Sequence, residues 1–211
     1  MSEADFSIHA QVSRTEATAV MAAPAFSVPA KKMAMWLFII ADTATFAGLL
    51  VAYGFTRNAT PDWPRPFHTI VNAVVMTFIL LTSSLTMIFA IGAARKDNKG
   101  GAIRWTLITA LLGMLFAFFH IREWLDLVGK GMTLFHNPFG TPLFGAAFFS
   151  VTGLHLTHVV CGIIALIVVA MKYKNGRLNA DDIEVVGLYW HFVDVVWMFV
   201  IPFVYLMNLG H

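Results

Sequence analysis

The sequence predicts an all-α integral membrane protein built as a bundle of five transmembrane helices. Of its 211 residues, 58% are hydrophobic and only 12% are charged, and the mean hydropathy is +0.73. Five apolar segments each reach the ~20 residues that a helix needs to cross a bilayer. The net charge of +2 is too small to indicate nucleic-acid binding, and the single cysteine has no partner for an intrachain disulfide.

Polar links divide the chain into a tail and one membrane domain. Residues 1–31 lack a sustained apolar run and predict a mobile N-terminal tail. Residues 32–211 predict the five-helix domain, with helices at about 32–53, 68–94, 102–128, 142–171 and 183–208. Prolines at 61, 64 and 66 stop the first helix, because proline cannot continue its hydrogen bonding. No internal repeat is visible, which disfavours an inverted-repeat transporter.

The basic residues predict the orientation of the bundle. All of them except Arg57, Arg65, Arg122 and Lys130 lie on the side that holds the tail, the second loop and the fourth loop. Basic residues accumulate in the cytoplasmic loops of membrane proteins. The N-terminus is therefore expected in the cytoplasm and the C-terminus outside.

The ionisable side chains of the first, fourth and fifth predicted helices include Asp42, His155, His158, Glu184, His191 and Asp194. Such groups are costly at membrane depth unless they are paired or face the protein interior. At ~1.5 Å of rise per residue, they are expected in one layer between the inner face and the midplane, with Glu184 at the inner boundary. We call these six residues the inner-half layer.

Three interpretations of the inner-half layer are open. The side chains could pair across helices and fix their packing. They could border a groove for lipid or a neighbouring subunit, or they could handle protons, since buried Asp and His titrate within reach of neutral pH. Haem ligation is disfavoured, because His120 is expected about 25 Å from the inner face, far from the layer.

A second set of residues is expected to pack helices or to lie at the membrane interface. Glu123 and Trp124 fall at the outer end of the third helix, where tryptophan prefers headgroup level. Gly113 and Ala117 are spaced to let another helix approach closely. The set comprises Gly113, Ala117, Glu123, Trp124, Trp190 and Trp197.

Three stretches of the chain carry recognisable sequence patterns. Tyr189-Trp-His-Phe-Val-Asp-Val-Val-Trp197 is similar to the helix that closes subunit III of the haem-copper oxidases, the cytochrome c and quinol oxidases. Gly145 to His158 follows its G-x-x-F-F-x-x-T-G-x-H-x-x-H pattern, and Trp36 to Asp42 is similar to the start of its conserved bundle. The resemblance covers about residues 32–208. It departs in having five helices, as the shorter bacterial members do, and in having Asp42 where many members have Glu.

The resemblance implies a non-catalytic accessory subunit of a proton-pumping terminal oxidase in the bacterial cytoplasmic (inner) membrane. Haem and copper are then expected in the partner subunits I and II, with no metal or other redox centre in this chain. Phospholipid is an expected ligand and nucleic acid is not. The inner-half layer would support assembly, lipid binding and sustained proton uptake.

Three other functions remain compatible with the sequence. The first is a subunit III-like accessory protein of a nitric oxide reductase system. The second is a free-standing proton-linked membrane carrier. The third is a small haem-binding membrane protein.

Overall fold

The computed structural model describes residues 29–61, 63–65 and 70–208. These residues form five long helices and no strand: α1 Ala30–Ala59, α2 Val71–Arg95, α3 Lys99–Gly129, α4 Pro142–Lys174 and α5 Ala180–Val200. Each is long and apolar enough to cross a membrane, with α5 counted through its extension to Asn208. The predicted bundle of five transmembrane helices is confirmed, whereas its orientation stays a prediction.

The helix bounds differ from the predicted ones by a few residues. The predicted tail lies outside the described residues up to position 28, and its last two residues, Ala30 and Lys31, already belong to α1. His68, the predicted start of the second helix, also lies outside them. The α4 helix continues to Lys174, three residues beyond the predicted end.

Short polar side chains fix where three of the helices begin. Asn98 accepts a hydrogen bond from the backbone N–H of Gly101 at 2.9 Å at the start of α3. Asn179 and Asp182 bond each other's backbone N–H groups at the start of α5. Thr141 caps α4 just before Pro142. These caps satisfy N–H groups that a helix leaves without intrahelical partners.

Contacts between helix ends define one end of the bundle. Arg95, the last residue of α2, pairs with Glu184 in the first turns of α5. Gly100, near the start of α3, and Lys174, the last residue of α4, line one groove. We call this end of the bundle the basic end.

Helices α2 to α5 form the core, which is held by a large side chain seated in a glycine gap. Trp190 of α5 is fully buried between Gly113 of α3 and Gly162 of α4. A Cβ atom at Gly113 would collide with the indole, and one at Gly162 would lie 2.9 Å from it. Trp190 Nε1–H donates to the hydroxyl of Ser83 in α2 at 2.9 Å. One side chain therefore links all four core helices.

Helix α1 lies beside this core and is much less buried. Only 11% of its membrane-crossing part is buried, against 33% to 50% for the other four helices. Its buried side chains are Ile39, Phe46 and Tyr53, spaced seven residues apart. A seven-residue spacing keeps residues on one narrow face of a helix. The α1 helix therefore meets the core along a single narrow stripe.

The chain beyond α5 closes the bundle at the end opposite the basic end. A π-helix, Ile201–Tyr205, follows α5 and contains Pro202, which has no N–H for the regular helical hydrogen bond. Asn208 in the final turn is fully buried. Its amide donates to the hydroxyl of Tyr53 in α1 and accepts from Trp63 Nε1–H at 2.9 Å.

Candidate functional site

The α1 helix is joined to α4 by a carboxylate and an imidazole at membrane depth. Asp42 Oδ2 lies 3.0 Å from His158 Nε2, and the two side chains are 14% and 15% exposed. This is an ion-pair distance, although the contact does not meet the geometry of a hydrogen bond. The pair therefore sits at the edge of the bundle, neither sealed in the core nor open on the surface.

The hydrogen-bond partner of Nδ1, the other ring nitrogen of His158, determines which nitrogen carries a hydrogen. Nδ1 lies 2.8 Å from the carbonyl oxygen of Leu154, one turn earlier in α4. A carbonyl only accepts hydrogen bonds, so Nδ1 must carry a hydrogen. Nε2 is then the basic nitrogen, and it is the one that faces Asp42.

Two aromatic rings enclose the Asp42–His158 pair. The ring of Phe46, one turn beyond Asp42, packs edge-on against the imidazole at 5.4 Å between centroids. Tyr189 of α5 lies 6.4 Å from the same imidazole, and its hydroxyl donates to the backbone carbonyl of His158 at 3.0 Å. The seam between α1, α4 and α5 is thus polar at one point and aromatic around it.

A second polar group joins α2 to α5. The hydroxyl of Ser84 donates to Asp194 Oδ2 and lies 3.0 Å from His191 Nδ1. The serine oxygen therefore lies within hydrogen-bonding distance of both the carboxylate and the imidazole. A hydrolytic triad needs the imidazole between serine and carboxylate. Here the serine lies between them, so the arrangement fastens two helices and does not activate a nucleophile.

Glu184 lies apart from both groups, at the basic end. Its carboxylate is 2.9 Å from the guanidinium of Arg95, whose side chain is 63% exposed. A pair this exposed is screened by solvent. Glu184 therefore ties the end of α2 to the start of α5 near the bundle surface.

The inner-half layer is consequently divided among separate contacts. Asp42 and His158 meet at the α1–α4 interface, whereas His191 and Asp194 meet Ser84 at the α2–α5 interface. Helical rise gives the depth of a residue but not the direction in which it points. The six residues expected in one layer therefore do not form a single cluster of contacting side chains.

The expectation that His120 lies far from His155 is also wrong. His155 packs at 5.8 Å from Phe116 and 5.1 Å from Trp197, and His120 packs at 5.7 and 5.6 Å from the same two rings. His155 lies nineteen residues from the end of α4, about 28 Å along the helix, and His120 lies about 32 Å along α3. The two histidines share one fully buried aromatic pocket.

The remaining predicted residues lie in the half of α3 that is farther from the basic end and in the helices that pack against it. Glu123 accepts a hydrogen bond from the Tyr205 hydroxyl at 2.7 Å. Trp124 Nε1–H donates to Thr152 in α4 at 3.3 Å, so its ring faces α4. Ala117 is buried one turn beyond Gly113, and Trp197 Nε1–H lies 3.3 Å from the Thr77 hydroxyl of α2.

Sequence reasoning missed the uncharged partners of these groups. Ser84, Tyr205 and Asn208 each contact a predicted residue or close the bundle. The available signal was a hydroxyl or amide side chain inside an apolar helix, which must find a hydrogen-bond partner there. Within the described part of the chain, no three His, Cys, Asp or Glu side chains are grouped so that they could hold a metal ion.

Comparison with known proteins agrees with this architecture. The sequence matches the family model described as "Cytochrome c oxidase subunit III" over residues 14–209. The chain belongs to the cytochrome c oxidase subunit III family. The family resemblance of Tyr189 to Trp197 and of the α4 pattern is thereby confirmed.

Three bacterial relatives show how far the similarity extends. The chain is 37% identical over 185 residues to "Cytochrome c oxidase subunit 3" of Alkalihalophilus pseudofirmus, covering 85% of this chain and 88% of the relative. It is 37% identical over 183 residues to "Quinol oxidase subunit 3" of Bacillus spizizenii, covering 84% and 87%. It is 35% identical over 171 residues to "Cytochrome c oxidase subunit 3" of Corynebacterium diphtheriae, covering 77% and 80%. The chain is a multi-pass protein of the bacterial cytoplasmic membrane and a component of a multi-subunit oxidase.

Proposed function

We propose that this chain is a non-catalytic subunit of a proton-pumping terminal oxidase, in which partner subunits reduce oxygen to water. Subunits I and II are the proposed partners and hold the haem and copper. The chain itself contributes assembly, phospholipid binding and sustained proton uptake. Membership of the subunit III family supports the assignment to an oxidase complex. The side-chain contacts within the chain support the non-catalytic role.

The Asp42–His158 pair is the observation that carries this role. It can hold one proton without any redox group, and it lies 14–15% exposed at the seam of the least buried helix. A carboxylate at membrane depth needs such a partner. A proton-holding pair at the edge of the bundle fits a subunit that supplies protons to a neighbour.

The surroundings of the buried histidines support the absence of a haem in this chain. The imidazole of His155 is stacked on Trp197 at 5.1 Å and meets Phe116 edge-on. A haem ligated by histidine needs a cavity beside a ring nitrogen. His155 and His120 are both fully buried and in contact with Phe116 and Trp197, which favours a packing role for these imidazoles.

Purification through a tag on this chain tests the proposal. The chain should copurify in mild detergent with a large haem-bearing subunit, and the reduced-minus-oxidised spectrum of the complex gives its haem type. Turnover with reduced cytochrome c or with quinol then identifies the electron donor. A lone colourless protein, recovered from membranes whose oxidase is intact, would refute the assignment and favour a free-standing carrier. Nitric oxide turnover without oxygen turnover would assign the chain to a reductase system.

A further inference from the structure

Two imidazoles in the core have ring nitrogen atoms without hydrogen-bond partners. His120 of α3 and His155 of α4 are both fully buried. Among the described residues, none forms a hydrogen bond with Nδ1 or Nε2 of either ring. The backbone of Thr152 lies near His120, but this contact does not meet the geometry of a hydrogen bond. Four buried ring nitrogens are therefore left unsatisfied by this part of the chain.

An imidazole needs two hydrogen-bond partners whichever of its nitrogens carries the hydrogen. A neutral ring has one donor and one acceptor, and a protonated ring has two donors. At membrane depth no bulk water reaches these atoms, and a buried donor or acceptor without a partner destabilises the fold. Buried polar side-chain atoms in native proteins are accordingly bonded to protein groups or to ordered water. The partners of these two rings must lie within the core.

Stacking against aromatic rings does not supply these partners. His155 lies nearly parallel to Trp197, and His120 lies nearly parallel to Phe116, with angles between the ring planes of 26° and 11°. Each imidazole thus has one face covered by an aromatic ring. Its N–H bond and its lone pair lie in the plane of the ring, and a hydrogen bond prefers to be nearly straight. A partner must therefore approach the edge of each imidazole.

The two imidazoles are placed so that they can share a partner. Each contacts both Phe116 and Trp197, at 5.1 to 5.8 Å between centroids. His120 is also close enough to His155 to interact with it electrostatically. A buried water both donates and accepts, and it needs room for about one water-sized sphere and about two to four polar partners. Two imidazole edges in one pocket provide such partners.

We propose that one or two ordered water molecules bridge His120 and His155 inside this aromatic pocket. A bridging water satisfies one nitrogen of each ring. The second nitrogen of His120 is then left for the nearby backbone of Thr152, and that of His155 for a second water. A water held in this way links α3 to α4 nearly as well as a direct hydrogen bond does.

The water site is distinct from the Asp42–His158 seam and is no part of the proposed function. His155 lies one turn from His158 on α4, but its ring packs against Trp197 and Phe116 in the core. A dry pocket would leave the proposed accessory role unchanged. Failure of that role would equally leave the water site unchanged.

Radiolytic hydroxyl-radical labelling tests for this water. A short X-ray pulse converts water into hydroxyl radicals, which oxidise the side chains beside them, so a buried side chain is labelled only by water held next to it. Trp197 and Trp190 are a matched pair, since both are fully buried. In the full chain, purified with the subunits that accompany it, Trp197 should be oxidised several-fold more than Trp190.

Two variants separate bridging water from a loosened core. In His120→Phe/His155→Phe, oxidation of Trp197 should fall to the level of Trp190, and His155→Phe alone gives the same comparison if the double variant does not assemble. Thr77→Val removes the hydroxyl 3.3 Å from Trp197 Nε1 but keeps both imidazoles, so the excess should remain. Equal oxidation of the two tryptophans in the parent, or an excess that survives loss of the imidazoles, would overturn the proposal. So would a nitrogen–nitrogen scalar coupling between the two rings, which would show a direct hydrogen bond.

Discussion

Two polar groups at similar membrane depth are built from the same side-chain types and differ in what they can do. At the α1 seam, the carboxylate of Asp42 faces the imidazole of His158 directly, 3.0 Å away. In the α2–α5 interface, Ser84 stands between the carboxylate of Asp194 and the imidazole of His191. Under the proposed function the first pair handles a proton at the edge of the bundle, whereas the second links two core helices through a serine hydroxyl.

The comparison extends to the helices that carry the two groups. The core helices α2 to α5 close around Trp190, and α1 touches them along one stripe. Buried polar contacts in a tightly packed core are hard to move without cost. The Asp42–His158 pair lies on the least buried helix, outside this tightly packed core. Variants that disturb one group and spare the other test this division.

The largest effect is expected from Gly113→Leu. The new side chain would collide with the indole of Trp190 and force the core apart. Overpacking of this kind costs about 1–3 kcal/mol and occasionally more. The thermal unfolding midpoint in detergent should fall sharply, and little of the variant should enter the complex. The matched control is Gly48→Leu in α1, where a Cβ meets no atom within 4 Å, and its midpoint should match that of the parent.

Asp42→Asn is expected to affect sustained turnover more than stability. An amide cannot take up the proton that the carboxylate exchanges with His158. Under the proposed function, oxidase activity should begin near the parent rate and then decay several-fold faster, with an unchanged haem spectrum. Asp42→Glu should restore the parent time course. The role assigned to this pair would be contradicted if the activity of the Asn variant decayed no faster than that of the parent. Loss of haem at normal levels of the partner subunit would contradict it as well.

Ser84→Ala is expected to show the opposite pattern. It removes the hydroxyl that joins Asp194 to His191 and leaves both polar groups without that partner. An unsatisfied buried group costs about 1–3 kcal/mol, so the unfolding midpoint should fall while turnover stays durable. Thr82→Ala is the control on the same helix, since its exposed hydroxyl bonds only the Phe78 carbonyl. Faster decay of activity in the serine variant would show that both interfaces handle protons.

The smallest effect is expected from Glu184→Gln at the basic end. Its partner Arg95 is mostly exposed, so solvent and salt already screen the pair. The unfolding midpoint should stay close to that of the parent. At higher salt concentration the midpoints of the variant and the parent should become equal. A drop as large as that of the serine variant would place Glu184 among the core contacts.

The sequence predicted the fold better than the site, for a physical reason. The length and apolarity of a segment decide whether it spans a membrane, and both are read directly from composition. Which side chains contact one another depends on how each helix is rotated about its axis and on where it ends. The α4 helix ends three residues later than predicted, which contributed to the misplacement of His155. The serine between His191 and Asp194 gave no signal in the sequence beyond a hydroxyl in an apolar helix.

The buried amide of Asn208 has a consequence for how the protein is made. It fastens Tyr53 of α1, which precedes it by 155 residues. At 5–20 residues per second, the ribosome takes roughly 8–30 s to cover that distance. During this interval α1 has entered the bilayer without its final fastening. The contact between α1 and the end of the chain therefore cannot form until the last residues of the membrane domain are synthesised, whereas the contacts of Asp42 and Phe46 with His158 need only α4.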